Sequence, residues 1–254
     1  MPTLDPAFLS RPLAHRALHD VADGRPENSR AAIRAAIEHG YGIELDLQLS
    51  ADGAAMVFHD YDLARLTTAS GPIRQRTLAE LAAIPLTGGD GETIPPLTEV
   101  LSLVAGRAPL LIEIKDQDGV MGPNVGTLEF AAAEALKSYT GPVALMSFNP
   151  HAVAAMARLL PDTARGLVTC AYNPLDWPLL PEATCDHLRA IPDYDRTGAC
   201  FVSHNVIDLH NPRLSALRSQ GAHILCWTVT SAEIERDARK TAQNITFERY
   251  LAAT

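Results

Sequence analysis

From residue 12 to residue 247 the chain alternates eight short apolar runs with longer, helix-compatible stretches, a rhythm that points to parallel strands joined by helical crossovers. The strand-like runs are Pro12–His15, Gly42–Asp46, Leu110–Ile114, Val143–Ser147, Arg165–Thr169, Cys200–Ser203, His223–Thr228 and Asn244–Phe247. Between them lie Ala-, Leu- and Glu-rich stretches such as Ser29–Glu38, Leu128–Ser138, His151–Leu160, Pro212–Ser219 and Ala232–Ala242. Asn28 and Ser29 suit the start of a helix, Gly40 its end, and Gly141-Pro142 breaks the chain just before a strand. Pro174, Pro178 and Pro181 make the segment after Cys170 the least helical. Eight strands, each with a crossover, predict a (β/α)8 TIM barrel, and 254 residues suit one such domain spanning 1–254. An open doubly wound sheet is the rival, but no GxGxxG or GxxxxGK[ST] follows any strand.

One segment departs from the rhythm. Residues Leu45–Asp60 read LDLQLSADGAAMVFHD, two strand-like runs around Asp52-Gly53, which is a hairpin signal. Ala55–Phe58 is therefore expected to fold back above the barrel mouth rather than to form a ninth barrel strand. That fold-back returns His59 to the level of Glu44 and Asp46. Gly88–Pro96 reads as an exposed loop, not as a boundary between domains.

Composition narrows the partners. Thirty Asp and Glu against 21 Lys and Arg give a net charge of −9, with no basic stripe of the kind nucleic acid requires. An anionic substrate then needs a local cation to offset the overall field. No run of about 18 apolar residues predicts a membrane span, and no basic amphipathic helix predicts stable membrane anchoring. Met1–Leu13 lacks the charged start and apolar stretch of a secretory signal, so a cytoplasmic location is expected. Cys170, Cys185, Cys200 and Cys226 form no CxxC pair, which fits four reduced thiols rather than a zinc site. Oligomeric state is not legible.

The chemistry concentrates at strand ends. In Gly42–Leu47, GIELDL, side chains alternate between faces, so Glu44 and Asp46 share one face and Ile43, Leu45 and Leu47 the other. Two carboxylates inside a barrel repel each other and are costly to desolvate; a hard divalent cation such as Mg2+ or Ca2+ removes both problems. The run LLIEIKDQD repeats the pattern, with Glu113 and Lys115 opposite Ile112 and Ile114. At the open, C-terminal end of the strands, Glu113 offers a third carboxylate and Lys115 a positive charge for an anion. His15 ends the first strand and His59 the hairpin, positions that fit general acid and base roles near neutral pH. Arg16 carries the donor fork that suits a phosphate oxygen. Trp227 reads equally as core or as a pocket wall, and Ser147 as a helix cap or a substrate contact. His204 is the best remaining candidate for the mouth, and its neighbour Asn205 reads as turn chemistry.

In order along the chain, His15-Arg16, Pro26-Glu27-Asn28-Ser29, Glu44-Leu45-Asp46, Asp52-Gly53, His59-Asp60 and Glu113-Ile114-Lys115 resemble the glycerophosphodiester phosphodiesterase family. Ser147-Phe148 and Trp227 extend the resemblance more loosely to about residue 230. It implies a metal-dependent barrel that hydrolyses small-molecule glycerophosphodiesters to glycerol 3-phosphate and an alcohol. It also implies Glu44, Asp46 and Glu113 as ligands to one Mg2+ or Ca2+, His15 and His59 as the acid–base pair, and Arg16 and Lys115 near the phosphate. Glu27 is implied beside that site, and Ser147 and Trp227 at the mouth. Three positions depart from the family pattern: Ala17 where Gly is usual after His-Arg, Glu248 in Thr246-Phe247-Glu248 where a Thr-Asp motif often stands, and Thr228-Val229-Thr230 after the tryptophan. Two other activities are compatible with parts of the pattern: a lysophospholipase D or phosphoinositide-cleaving activity on the same barrel, and a Schiff-base aldolase using Lys115.

Overall fold

A computed structural model describes residues 2–253. The strands are β1 (Leu13–Ala14), β2 (Gly42–Leu49), β3 (Ala55–Val57), β4 (Leu110–Ile114), β5 (Val143–Ser147), β6 (Ala164–Thr169), β7 (Phe201–Asn205), β8 (His223–Val229) and β9 (Asn244–Phe247). All but β3 are parallel, and β1 pairs with both β2 and β9, which closes an eight-stranded barrel. β3 lies antiparallel on β2 with Leu47 opposite Val57, the hairpin expected from Asp52-Gly53. Gly53 has a φ of +84°, the left-handed turn conformation that glycine adopts without strain. β2 runs three residues past the expected Asp46 because pairing with β3 prolongs it.

The helices are α1 (Ala7–Ser10), α2 (Arg30–Glu38), α3 (Leu78–Leu81), α4 (Leu97–Val104), α5 (Thr127–Leu136), α6 (Pro150–Leu159), α7 (Glu182–Arg189), α8 (Tyr194–Thr197), α9 (Pro212–Ser219) and α10 (Ala232–Ala238). Ser29 caps α2 by accepting the Ala32 N–H at 3.1 Å, and Ala32, Ile33 and Ala36 face the strands. The proline-broken stretch after Cys170 ends at Pro181, where α7 begins; a proline is tolerated there because the first helical N–H groups have no partner within the helix. Met56 of β3 and, between β3 and β4, Phe58, Leu63, Ile73, Leu81, Leu86 and Ile94 form a small core of their own. Residues 88–96 are consequently less exposed than the sequence suggests: Glu92 and Ile94 are buried. Among the described residues no helix is long and apolar enough to cross a membrane.

Parallel registration decides what fills the barrel. Glu44 stands beside Leu111, Asp46 beside Glu113, Glu113 beside Met146, and Gly166 beside Phe201, so these residues share the inner face. The lower interior is apolar: Leu13, Leu111, Ala144, Phe201 and Leu225 pack together, with Leu4 and Phe8 of the N-terminal segment closing that end. Gly166 makes this packing possible, because a Cβ there would stand 2.3 Å from the Phe201 ring. The outer faces of the strands, with Ile43, Leu45, Ile112 and Ile114, bury against the helices. The three carboxylates carried by the strands, Glu44, Asp46 and Glu113, are thereby placed on the inner face.

Candidate active site

Three inward carboxylates meet towards the C-terminal ends of the strands. Glu44, Asp46 and Glu113 are all buried, and each offers an oxygen within 4.8 Å of the others. Lys115 Nζ lies 2.7 Å from both Asp46 Oδ1 and Glu113 Oε1. Asn28 donates its side-chain amide to Asp46 Oδ2 at 3.0 Å, and the Arg16 backbone N–H donates to Glu44 Oε2 at 2.8 Å. Burial and the neighbouring Asp46 and Glu113 push the Glu44 carboxyl well above the usual range. Burial also acts on Asp46, but Lys115, His59 and Arg16 outweigh it and hold that carboxyl well below its ordinary value. One ammonium therefore pairs with two of the acids, offsetting one negative charge, and makes no ion pair with the third. An all-oxygen, buried, charge-frustrated set of this kind fits a hard divalent cation.

Each histidine at this end leans on its own carboxylate. His15 Nδ1 lies 2.8 Å from Glu248 Oε2, and His59 Nδ1 lies 2.6 Å from Asp60 Oδ1. Glu248 is drawn well below its ordinary value by the hydrogen bond it accepts from His15 and by His19, whose Nε2 lies 3.5 Å away. Asp60 is likewise held low: the hydrogen bonds from His59 and Arg65 outweigh its burial. Ionised carboxylates only accept, so each Nδ1 carries the proton and Nε2 is the ring atom left to exchange one. Burial lowers the His15 imidazole below its ordinary value, with Glu248 pulling in the opposite direction.

A cavity of about 130 Å³ connects these groups. Its wall includes His15, Arg16, Glu44, His59, Glu113, Lys115 and Trp227, together with Met146, Phe148, Val168, Thr228 and Thr246. The Trp227 indole donates to the Ser203 carbonyl at 3.1 Å, and its ring meets Phe148 edge-on at 5.4 Å. Arg16 donates to Glu27 Oε1 at 2.9 Å, while its Nε, buried 3.7 Å from Asp46 Oδ2, makes no hydrogen bond among the described residues. That orphaned donor sits where an anionic oxygen would satisfy it.

Other expected residues lie elsewhere. Asp46 is behind the cavity wall, held by Asn28 and Lys115. Glu27 stands behind Arg16. Ser147 does not line the cavity: its neighbour Met146 shares the inner face with Glu113, so alternation turns Ser147 outward. There its hydroxyl donates to the Ile114 carbonyl at 2.7 Å and accepts the Asn149 N–H at 3.1 Å. His204 is fully buried on the outer face, with Nδ1 2.7 Å from Thr169 Oγ1 and Nε2 3.1 Å from Asp208 Oδ2, and plays no part at the mouth. Asn205 accepts the Ile207 N–H, the turn role expected of it.

Glu248, Asp60, Asn28 and Arg65 support the site in ways that sequence reasoning did not assign, Asn28 having been expected only at the start of a helix. For Glu248 the signal was present: Asn244, Thr246 and Glu248 continue one alternating face of β9 into the mouth.

Comparison with known proteins converges on one family. Residues 15–246 match the Glycerophosphoryl diester phosphodiesterase family. A glycerophosphodiester phosphodiesterase of Caldanaerobacter subterraneus subsp. tengcongensis is 34% identical over 152 residues, 56% of this chain and 61% of its own length. The Bacillus subtilis protein YhdW is 26% identical over 227 residues, 86% of each chain. Among solved structures, an Oleispira antarctica phosphodiesterase in complex with the product sn-glycerol-3-phosphate superposes with a TM-score of 0.76 at 25% identity, covering 95% of this chain and 94% of that one. With the closed barrel, the three-acid cluster and a family match over nearly its whole length, the chain belongs to the glycerophosphoryl diester phosphodiesterase family.

Proposed function

We propose that this protein hydrolyses small glycerophosphodiesters to glycerol 3-phosphate and an alcohol, with His15 and His59 as the acid–base pair. The carrying observation is that both imidazoles, each with Nδ1 on a carboxylate, line the cavity that Glu44 and Glu113 also line. The product bound to the Oleispira relative supports the same substrate class.

Glu44, Asp46 and Glu113 would hold Mg2+ or Ca2+, which supplies positive charge to nonbridging phosphate oxygens as negative charge builds there. Arg16 offers its unpartnered Nε to the same phosphate. Lys115 keeps Asp46 ionised and in place. One imidazole takes the proton of the attacking group, which is water or the glycerol hydroxyl next to the ester. The other protonates the departing alkoxide. Attack by the hydroxyl gives a cyclic phosphate first, favoured by proximity. Glu27 and Trp227 act on substrate placement, Glu27 through Arg16 and Trp227 as a wall of the cavity.

A Schiff-base role for Lys115 is disfavoured, because the ammonium clamped between two carboxylates is held above its ordinary pKa, whereas such a nucleophile must be neutral. No feature of the site favours lysophospholipase D or phosphoinositide cleavage. We assign the enzyme to the cytoplasm, where its four unpaired cysteines, three of them buried, remain reduced. The test is turnover of glycerophosphocholine by His15→Ala and His59→Ala. Each should lose about 10²–10⁴-fold, and near-normal rates in both would overturn the assignment.

A further inference from the structure

Arg65 sits on the loop after the hairpin and outside the cavity wall, yet it binds two carboxylates at once. Its Nε and one terminal nitrogen donate to the two oxygens of Asp60 at 2.6 and 2.8 Å. Its two terminal nitrogens donate to the two oxygens of Glu27 at 2.9 and 2.8 Å. Beyond Asp60 lies His59, at 2.6 Å, and beyond Glu27 lies Arg16, at 2.9 Å. A continuous chain of side chains therefore runs Arg16, Glu27, Arg65, Asp60, His59, joining two cavity residues from separate loops without passing through a carboxylate of the three-acid cluster.

The mounting of Arg65 is firm. Leu63 is fully buried and Leu66 partly so in the core between β3 and β4, and the Leu63 and Leu66 carbonyls accept from Thr67 and Thr87. The Arg65 side chain itself is 47% exposed, so its ion pairs are screened by water and add little to stability. Their value lies in direction. Two bidentate contacts fix a planar guanidinium in one orientation, which a lysine's point charge cannot reproduce.

We propose that Arg65 is a positioning residue, holding His59 and Arg16 in mutual register through Asp60 and Glu27. This rests on the phosphodiesterase reading for its kinetic consequence but not for its structural one. Arg65→Ala should lower kcat on glycerophosphocholine about 10–100-fold, the scale expected when catalytic groups drift by about an ångström. The melting temperature should hardly change. Guanidinium added to the buffer should restore much of the lost kcat, whereas methylammonium should not, and Arg65→Lys should remain impaired. Independently of turnover, nitrogen-15 NMR of the His59 ring should show a single Nδ1–H tautomer in the wild type and an averaged one in Arg65→Ala. The His59 spectrum therefore tests the positioning even if glycerophosphocholine is not turned over by the wild type, an outcome that would instead remove the functional reading. Should Arg65→Ala fail to fold, Arg65→Lys carries the same comparisons. A kcat within about twofold of wild type, or a loss that guanidinium does not restore with an unchanged His59 spectrum, overturns the proposal.

Discussion

His15 and Glu248 stand 233 residues apart in the sequence and 2.8 Å apart in space. Closure of the barrel brings them together: β1 pairs with β9, so the residue after β1 and the residue after β9 emerge side by side at the mouth. Glu248 fixes which nitrogen of His15 bears the proton, and it opposes the effect of burial on that imidazole.

Glu248→Gln should therefore shift the pH dependence in a definite direction. Burial lowers the His15 pKa, and the carboxylate raises it by stabilising the imidazolium. Removing the carboxylate leaves burial unopposed, so the limb of the kcat/KM profile governed by His15 moves to lower pH, whichever of the two roles His15 plays. A profile that stays in place, or moves to higher pH, contradicts this pairing.

Glu44→Gln should stabilise the cation-free protein. The Glu44 carboxyl is raised in the folded state, by burial first and then by Asp46 and Glu113. Its contribution to stability is therefore intact below the unfolded carboxyl value, about 4.3, and lost as pH rises through the folded one. Near neutral pH in chelator the variant should melt higher by about 2–4 °C for each ~1 kcal/mol of repulsion relieved. Added Mg2+ or Ca2+ should then raise the wild-type melting temperature more than that of the variant. Equal shifts in both proteins would show that Glu44 does not hold the cation.

Ala17 occupies a position where the family pattern usually has glycine, and its backbone shows why glycine suits it. Its φ is +65°, in the left-handed region, and its side chain is buried. An L-residue there costs about 1–2 kcal/mol, against about 0.5–1 kcal/mol of extra chain entropy that glycine loses on folding. Ala17→Gly should thus gain roughly 0.5–1 kcal/mol, read as a rise of about 1–4 °C in the melting temperature. A fall would mean that methyl packing outweighs the backbone strain.

Period-two alternation made much of the site legible in the sequence. Glu44 with Asp46, and Glu113 with Lys115, each had to share a face, and Asp52-Gly53 had to fold His59 back towards them. The same rule, applied across β5, turns Ser147 outward once Met146 faces in. What local pattern could not supply was contact across the closed barrel. Glu248 acquires its role only when β9 meets β1, and Arg65 only when its loop reaches both Glu27 and Asp60. A charged residue on a loop ordinarily reads as solvated, and nothing in the residues around Arg65 says otherwise. His204 illustrates the converse, a histidine that looks exposed by its place near a strand end yet is sealed against Thr169 and Asp208 behind the sheet.

The most direct measurement is release of glycerol 3-phosphate from glycerophosphocholine by the chelator-treated protein, before and after Mg2+ or Ca2+ is added back, alongside Glu113→Gln. We expect no release in chelator, recovery on adding the cation, and little recovery in the variant. Full activity in chelator that neither cation nor Glu113→Gln alters would contradict a phosphodiesterase built on these three carboxylates.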